Sequence, residues 1–333
     1  MATKKDAKEW AREHVKGLWG LHWTPFAEDD SIDEAALREH VRLIADQEPD
    51  GISVAGLLAE KWYMTFEERV RIAEIVKEEI GGRIPLMFLV TDHSSANTLR
   101  LVEKAQELEF EMVMLQVPYE HAKSDAEMYR FVEFVNDRSD IAMGIYDSPH
   151  SGRVMGPELL QAVGRIESVC AVKHGPDFNE FVRTNQLIGD RVVVSYPFES
   201  HWLTQMQLCG TRALFSSTTP HLFQSSTWRP IRDYTDLALN GDWKEAYDIF
   251  YSLQPLRDLW NELYQVYHLD NRHPIAETKY WLHAQGMISD PRVRRPNRQI
   301  SAEMAEKIDR VVGSFPQIHA PAPADAVAES SVA

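Results

Sequence analysis

The chain has 333 residues, 44% hydrophobic and 26% charged, which suits a globular protein with a large core and excludes a disordered or fibrous one. Its 51 acidic and 35 basic side chains give a formal net charge of −16, and this speaks against nucleic acid or an anionic membrane as the main partner. The start, Met1 to Trp10, has no apolar signal core, and no stretch approaches the roughly 18 apolar residues of a membrane span. Cys170 and Cys209 sit in apolar runs and read as buried free thiols, so a cytoplasmic setting is expected.

Residues 1–16 read as a helical or flexible lead-in. From residue 17, apolar runs of strand length alternate with longer amphipathic stretches, the pattern of a parallel sheet covered by helices. The strand candidates are Leu18 to Thr24, Gly51 to Ala55, Pro85 to Val90, Met112 to Val117, Ile141 to Tyr146, Val169 to Lys173, Arg191 to Ser195 and Ala213 to Ser216. Helical patterns between them include Ile32 to Gln47, Phe66 to Ile80, Ala96 to Leu108, Ala126 to Val135 and Pro157 to Ile166. Thr65, followed by Glu67 and Glu68, forms a helix-start signal.

Eight such units close a (β/α)8 TIM barrel over residues 17–225. A doubly wound open sheet is the rival, but no Gly-x-Gly-x-x-Gly follows the first strand. Beyond the eighth strand the pattern is purely helical: Trp228 to Leu239, Trp243 to Leu256, Asp258 to Tyr267, Ile275 to Gln285 with Gly286 as its stop, and Ala302 to Val312. These make a C-terminal extension, residues 226–315, whose aromatic residues at helical spacing predict a core or a subunit interface. Arg292, Arg294 and Arg295 read as a solvated turn. Residues 316–333 are expected to form a disordered tail.

Lys173 is the most informative residue: it ends the β-branched run Val169 to Lys173, where a barrel strand meets the active-site face and burial disfavours an ammonium. Tyr146 ends the preceding run, 27 residues earlier, and a breaker from Asp147 to Gly152 follows it. That separation suits one βα unit, so both groups would emerge on the same rim. Five histidines, His22, His93, His150, His174 and His201, fall at or near strand ends, where functional groups concentrate, and His150 is the favoured one. Their spacing offers no paired metal ligands, so no metal is expected.

The ordered set Thr24-Pro25-Phe26, Gly56-Leu57-Leu58-Ala59-Glu60, Thr65 to Arg69, Val117-Pro118-Tyr119, Tyr146-Asp147-Ser148-Pro149 and Val172-Lys173 resembles the landmarks of the dihydrodipicolinate synthase and N-acetylneuraminate lyase superfamily, from about residue 17 to about 312. The resemblance implies that Lys173 condenses with a 2-oxo acid such as pyruvate, that Tyr146 moves protons, and that no cofactor is needed. It also implies a homodimer or homotetramer. Expected substrate contacts are Gly56, Leu57, Leu58, His150, Ser151 and Ser195.

The departures are informative. Where the family usually carries hydroxyl side chains after the second strand, this chain has Leu57 and Leu58, which offer neither donor nor acceptor. Glu120 stands where a second tyrosine is common, and Ser151 where an arginine is common, with Arg153 two residues on. The resulting expectation is an aldolase or hydratase-aldolase with an atypical, partly hydrophobic substrate. Two alternatives are a dehydratase of a 2-keto-3-deoxy sugar acid and a non-catalytic binding barrel.

Overall fold

The computed structural model describes residues 2–118, 122–149, 153–270 and 272–320. Eight parallel strands alternate with helices: β1 Gly17–Leu21, β2 Gly51–Val54, β3 Leu86–Leu89, β4 Met112–Leu115, β5 Ala142–Asp147, β6 Val169–His174, β7 Val193–Ser195 and β8 Ala213–Ser217. β1 to β7 pair successively in chain order, and β8 returns to β1, so the sheet order is β7-β6-β5-β4-β3-β2-β1-β8. β7 and β8 flank the remaining seam, where Ser195 Oγ accepts the Phe215 N–H at 2.9 Å. The result is a nearly closed (β/α)8 barrel.

Parallel strands are covered on both faces, so their sequences read as continuous apolar runs, and all eight were legible for that reason. Alternation sends Ala142, Gly144 and Tyr146 inward. A Cβ on Gly144 would come within 2.9 Å of Met114 Cε and 3.0 Å of Met112 Cε, so glycine makes room there for two interior methionines. Below them, α1 (Ala7–His14) closes the N-terminal ends of the strands: Ala7, Ala11 and Val15 join Trp19, Ala142, Ala171 and Phe215 in one buried cluster. The Ala142 N–H donates to the Ala2 carbonyl at 2.9 Å, so the lead-in is docked from its start.

The chain forms two compact units. The first holds residues 1–22, 49–57 and 64–217, with all eight strands, α1, and the helices α3 Phe66–Ile80, α4 Ser95–Glu107, α5 Asp125–Asn136, α6 Pro157–Val163, α7 Phe178–Ile188 and α8 Trp202–Cys209. The second holds residues 23–48, 58–63 and 218–333, with α2 Glu34–Asp46, α9 Thr219–Leu222, α10 Pro230–Asn240, α11 Trp243–Ser252, α12 Gln254–Asp270, α13 Ile275–Ala284 and α14 Ala302–Gly313. The sequence pattern suggests segments 1–16, 17–225, 226–315 and 316–333.

Thr65 caps α3 in a full capping box with Glu68, and Gly286 follows α13 with a left-handed φ of 77°. Three local expectations change. The break expected near Leu256 falls at Leu253, because Pro255 fits the first turn of α12, where a missing N–H costs nothing. Residues 316–320, expected to belong to the tail, are docked: Ile318 is fully buried, and the Ala320 N–H donates to the Gln285 carbonyl at 2.8 Å. Cys170 is buried, whereas Cys209 is only half-buried; both are free. Among the described residues, no helix is long and apolar enough to cross a membrane.

Candidate active site

Register fixes the centre of the site. Tyr146 on β5 pairs with Lys173 on β6, and Lys173 pairs with Ser195 on β7, so three polar residues occupy one level at the C-terminal ends of adjacent strands. Lys173 Nζ lies 5.0 Å from the centre of the Tyr146 ring. Both residues are half-buried, while the strand residues beneath them are sealed.

Burial pulls the Lys173 ammonium down from 10.5 to about 7. A side chain can keep some accessible surface and still be surrounded by protein mass, and it is that mass which strips hydration from the charge. An amine with this value is about half unprotonated at neutral pH. It needs no separate base to become a nucleophile.

The β2–α3 connection begins in the first unit, with residues 55–57. Its first residue, Ala55, is left-handed at φ 53°, and its N–H donates to His22 Nε2 at 3.0 Å. His22 is fully buried, so its imidazole serves to hold this loop. Gly56 sits against β1: a Cβ there would approach Leu21 Cδ1 to 2.6 Å. Leu57 follows, half-buried. Leu58 belongs to the second unit and packs there on Ile275, Ala276 and Val293.

The remaining expected contacts divide. Ser195 is fully buried, and its hydroxyl oxygen already holds the barrel seam through Phe215 N–H. His150 and Ser151 lie outside the described residues, as do Tyr119 and Glu120. Arg153 bonds the Lys123 carbonyl and the Asp125 carboxylate near the start of α5. His93 is exposed. His201 is half-buried against Phe178, ring centres 4.8 Å apart, and burial lowers its pKa.

The sequence reading missed one partnership. His174 Nδ1 lies 2.7 Å from Asp147 Oδ2, with the two side chains 1% and 2% exposed. Asp147 was read only as the start of a breaker. The signal was present, because two residues that follow a registered pair by one position must themselves be registered.

A barrel of this order with a lysine ending its sixth strand meets its known counterparts here. The model of the Dihydrodipicolinate synthetase family matches residues 14–314. The chain belongs to that family. A 4-hydroxy-tetrahydrodipicolinate synthase from Pelobacter propionicus is 26% identical over 232 residues, which cover 69% of this chain and 78% of that protein. A putative dihydrodipicolinate synthetase from Pseudomonas aeruginosa superposes with a TM-score of 0.79 at 22% identity, covering 90% of this chain and 99% of the other. A prophage protein of the dihydrodipicolinic acid synthase family from E. coli K12, solved in complex with pyruvate, gives a TM-score of 0.77 at 18% identity, over 91% and 99% of the two chains.

Members of the dihydrodipicolinate synthetase family are lyases that use pyruvate through a Schiff base. In this chain Tyr146 and Lys173 stand at the ends of adjacent strands, and Leu57 follows the second strand.

Proposed function

We propose that this chain is a class I lyase in which Lys173 forms an imine with the ketone carbon of a 2-oxo acid, pyruvate being the simplest. The observation that carries the reading is the buried Lys173 amine, with a pKa near 7, held 5.0 Å from the Tyr146 ring on the adjacent strand. Neutral Lys173 attacks the ketone carbon, and proton transfer gives a carbinolamine. Loss of its hydroxyl, protonated on departure, leaves an iminium. The Tyr146 phenol is the group placed to donate that proton and to take up the proton of a substrate hydroxyl.

The iminium then accepts the electron pair of the breaking carbon–carbon bond, giving an enamine that is protonated and hydrolysed to free Lys173. Without a hydroxyl at Leu57, the substrate carboxylate needs main-chain donors. The Ala55 N–H is engaged by His22, so those of Gly56 and Leu57 are the next along the loop. An apolar Leu57 favours a substrate with a hydrophobic portion, which supports an aldolase or hydratase-aldolase over a sugar-acid dehydratase.

The same leucine is what favours the rival reading, a barrel that binds without turnover. The experiment that separates them exposes the protein to pyruvate and to a panel of alkyl and aryl 2-oxo acids, reduces with borohydride and maps the modified residue by mass spectrometry. An adduct on Lys173 is expected. Its absence with every acid in the panel would leave the binding barrel as the better account.

A further inference from the structure

The outer faces of the strand ends that carry Tyr146 and Lys173 hold a second buried constellation. Alternation turns Asp147 and His174, each one residue past the reactive pair, away from the barrel interior. Beyond their 2.7 Å contact the chain continues on both sides. Met155 N–H donates to Asp147 Oδ1 at 2.9 Å, and His174 Nε2 meets Thr184 Oγ1 on α7 at 3.1 Å. Thr184 is fully buried. A carboxylate only accepts, so His174 Nδ1 carries a proton, while the Thr184 hydroxyl can serve Nε2 in either role.

Stability alone explains this arrangement poorly. Removing a carboxylate and an imidazole from water is costly, and apolar side chains of similar volume could bridge the same strands at lower cost. What the polar chain adds is direction. An imidazole bonded at both nitrogens cannot rotate, and neither can a carboxylate bonded at both oxygens. Asp147 is covalently next to Tyr146, and His174 next to Lys173, so fixing the outer pair fixes the backbone from which the inner pair projects. The Gly175 N–H, donating to the Asp147 carbonyl at 2.9 Å, extends the clamp one step past the strand ends.

We propose that Asp147, His174 and Thr184 are positioning residues, which clamp β5 and β6 from behind and thereby set where the Lys173 amine and the Tyr146 phenol stand. The proposal rests on the reading of Lys173 as the imine-forming nucleophile. Loosening the clamp misplaces the amine and admits water to it. A shift of about 1 Å in a reacting group can cost roughly 100-fold in rate.

The test uses the full-length protein and the variants Asp147→Asn, Thr184→Val and Thr184→Ser. Two quantities are measured: the rate of Lys173 adduct formation with pyruvate under borohydride, and the pH profile of Lys173 acylation by acetic anhydride, which needs no substrate. In Asp147→Asn and Thr184→Val the trapping rate at saturating pyruvate should fall roughly 10- to 100-fold, with half-saturation unchanged within about twofold. The acylation midpoint should move up from about 7 toward the ordinary lysine range. Thr184→Ser, which keeps the hydroxyl, should match wild type in both.

If the melting temperature falls in the first two variants while trapping and acylation stay at wild-type values, the clamp is merely structural and the proposal is overturned. If wild type gives no adduct with any 2-oxo acid of the panel but the acylation midpoint still moves, the imine reading fails and the positioning role stands. Should Asp147→Asn not fold, the Thr184 pair decides.

Discussion

Lys173 in the first unit and Lys279 in the second are both lysines with depressed pKa values, yet their surroundings give them opposite roles. Lys279 is 0% exposed and donates to Glu60 Oε1 at 2.8 Å, to the Thr24 carbonyl at 2.7 Å and to the Arg292 carbonyl. Burial lowers its pKa, and the Glu60 carboxylate pulls it back up. Glu60 is saturated in turn, its other oxygen accepting from the Arg294 N–H at 2.9 Å and the Asn297 amide at 2.8 Å. For Lys173 burial alone accounts for the shift, and the value reaches about 7. A buried lysine tied to a carboxylate and two carbonyls is a strut; one whose pKa burial brings to about 7 at a strand end is a nucleophile in waiting.

The largest effect expected from this contrast is the exchange of each amine for an apolar side chain. Lys173→Met should abolish borohydride trapping by any 2-oxo acid while leaving the melting temperature at or above that of wild type, since a poorly solvated amine is removed. Residual trapping at wild-type rate would show that another amine is the nucleophile. Tyr146→Phe should cut the trapping or turnover rate about 10²- to 10⁴-fold, the usual contribution of a positioned acid/base, with the Lys173 acylation midpoint still near 7.

Lys279→Met should do the reverse. It leaves the Glu60 carboxylate sealed away from its cation, which costs about 3–5 kcal/mol. Denaturant unfolding would read this as a lower midpoint, while Lys173 in the folded fraction remains trappable. Adding Glu60→Gln should recover part of the loss. A Lys279→Met protein as stable as wild type would break the comparison from the structural side.

Much of the barrel was legible because parallel strands advertise themselves as apolar runs, and Tyr146 and Lys173 ended two of them. The strut was not legible. Glu60 and Lys279 are 219 residues apart, and nothing in local pattern links them. Arg294 misled for the same reason. In sequence it belongs to a charged turn; in the structure it donates to the Tyr63 carbonyl at 2.9 Å and the Asp30 carbonyl at 2.6 Å, contacts set by chain segments far away. Leu57 and Leu58 looked like one apolar feature, yet Leu58 packs on Ile275, Ala276 and Val293. Pairing across the fold is a tertiary fact, and only the β5–β6 spacing let one such pair be inferred.

The pH dependence of Lys173 sharpens the contrast. Below about pH 7 each unit of acidification should reduce the free amine, and so the trapping rate, about tenfold; above it the rate should level off, well before the 10.5 of an ordinary lysine. The same shift acts on stability. With a folded pKa near 7 and an unfolded one near 10.5, the unfolded chain binds more protons throughout that window. Wild type should therefore gain stability relative to Lys173→Met as pH rises from 7 to 10, by an amount on the order of a few kcal/mol at most. Equal pH slopes for the two proteins would place Lys173 among ordinary lysines.

The smallest effect tests whether the larger ones are specific. Thr65 and Glu68 close α3 in a reciprocal cap, Glu68 N–H to Thr65 Oγ1 at 3.1 Å and Thr65 N–H to Glu68 Oε2 at 2.8 Å, on the surface of the first unit. Thr65→Ala should cost about 1 kcal/mol, as loss of an exposed helix cap generally does. It touches neither Tyr146 nor Lys173, so trapping by pyruvate and the acylation midpoint should stay at wild-type values. If this modest destabilisation slowed trapping as much as Asp147→Asn, the reactivity of Lys173 would be following the stability of the whole barrel, and the contrast between a strut and a nucleophile would lose its local cause.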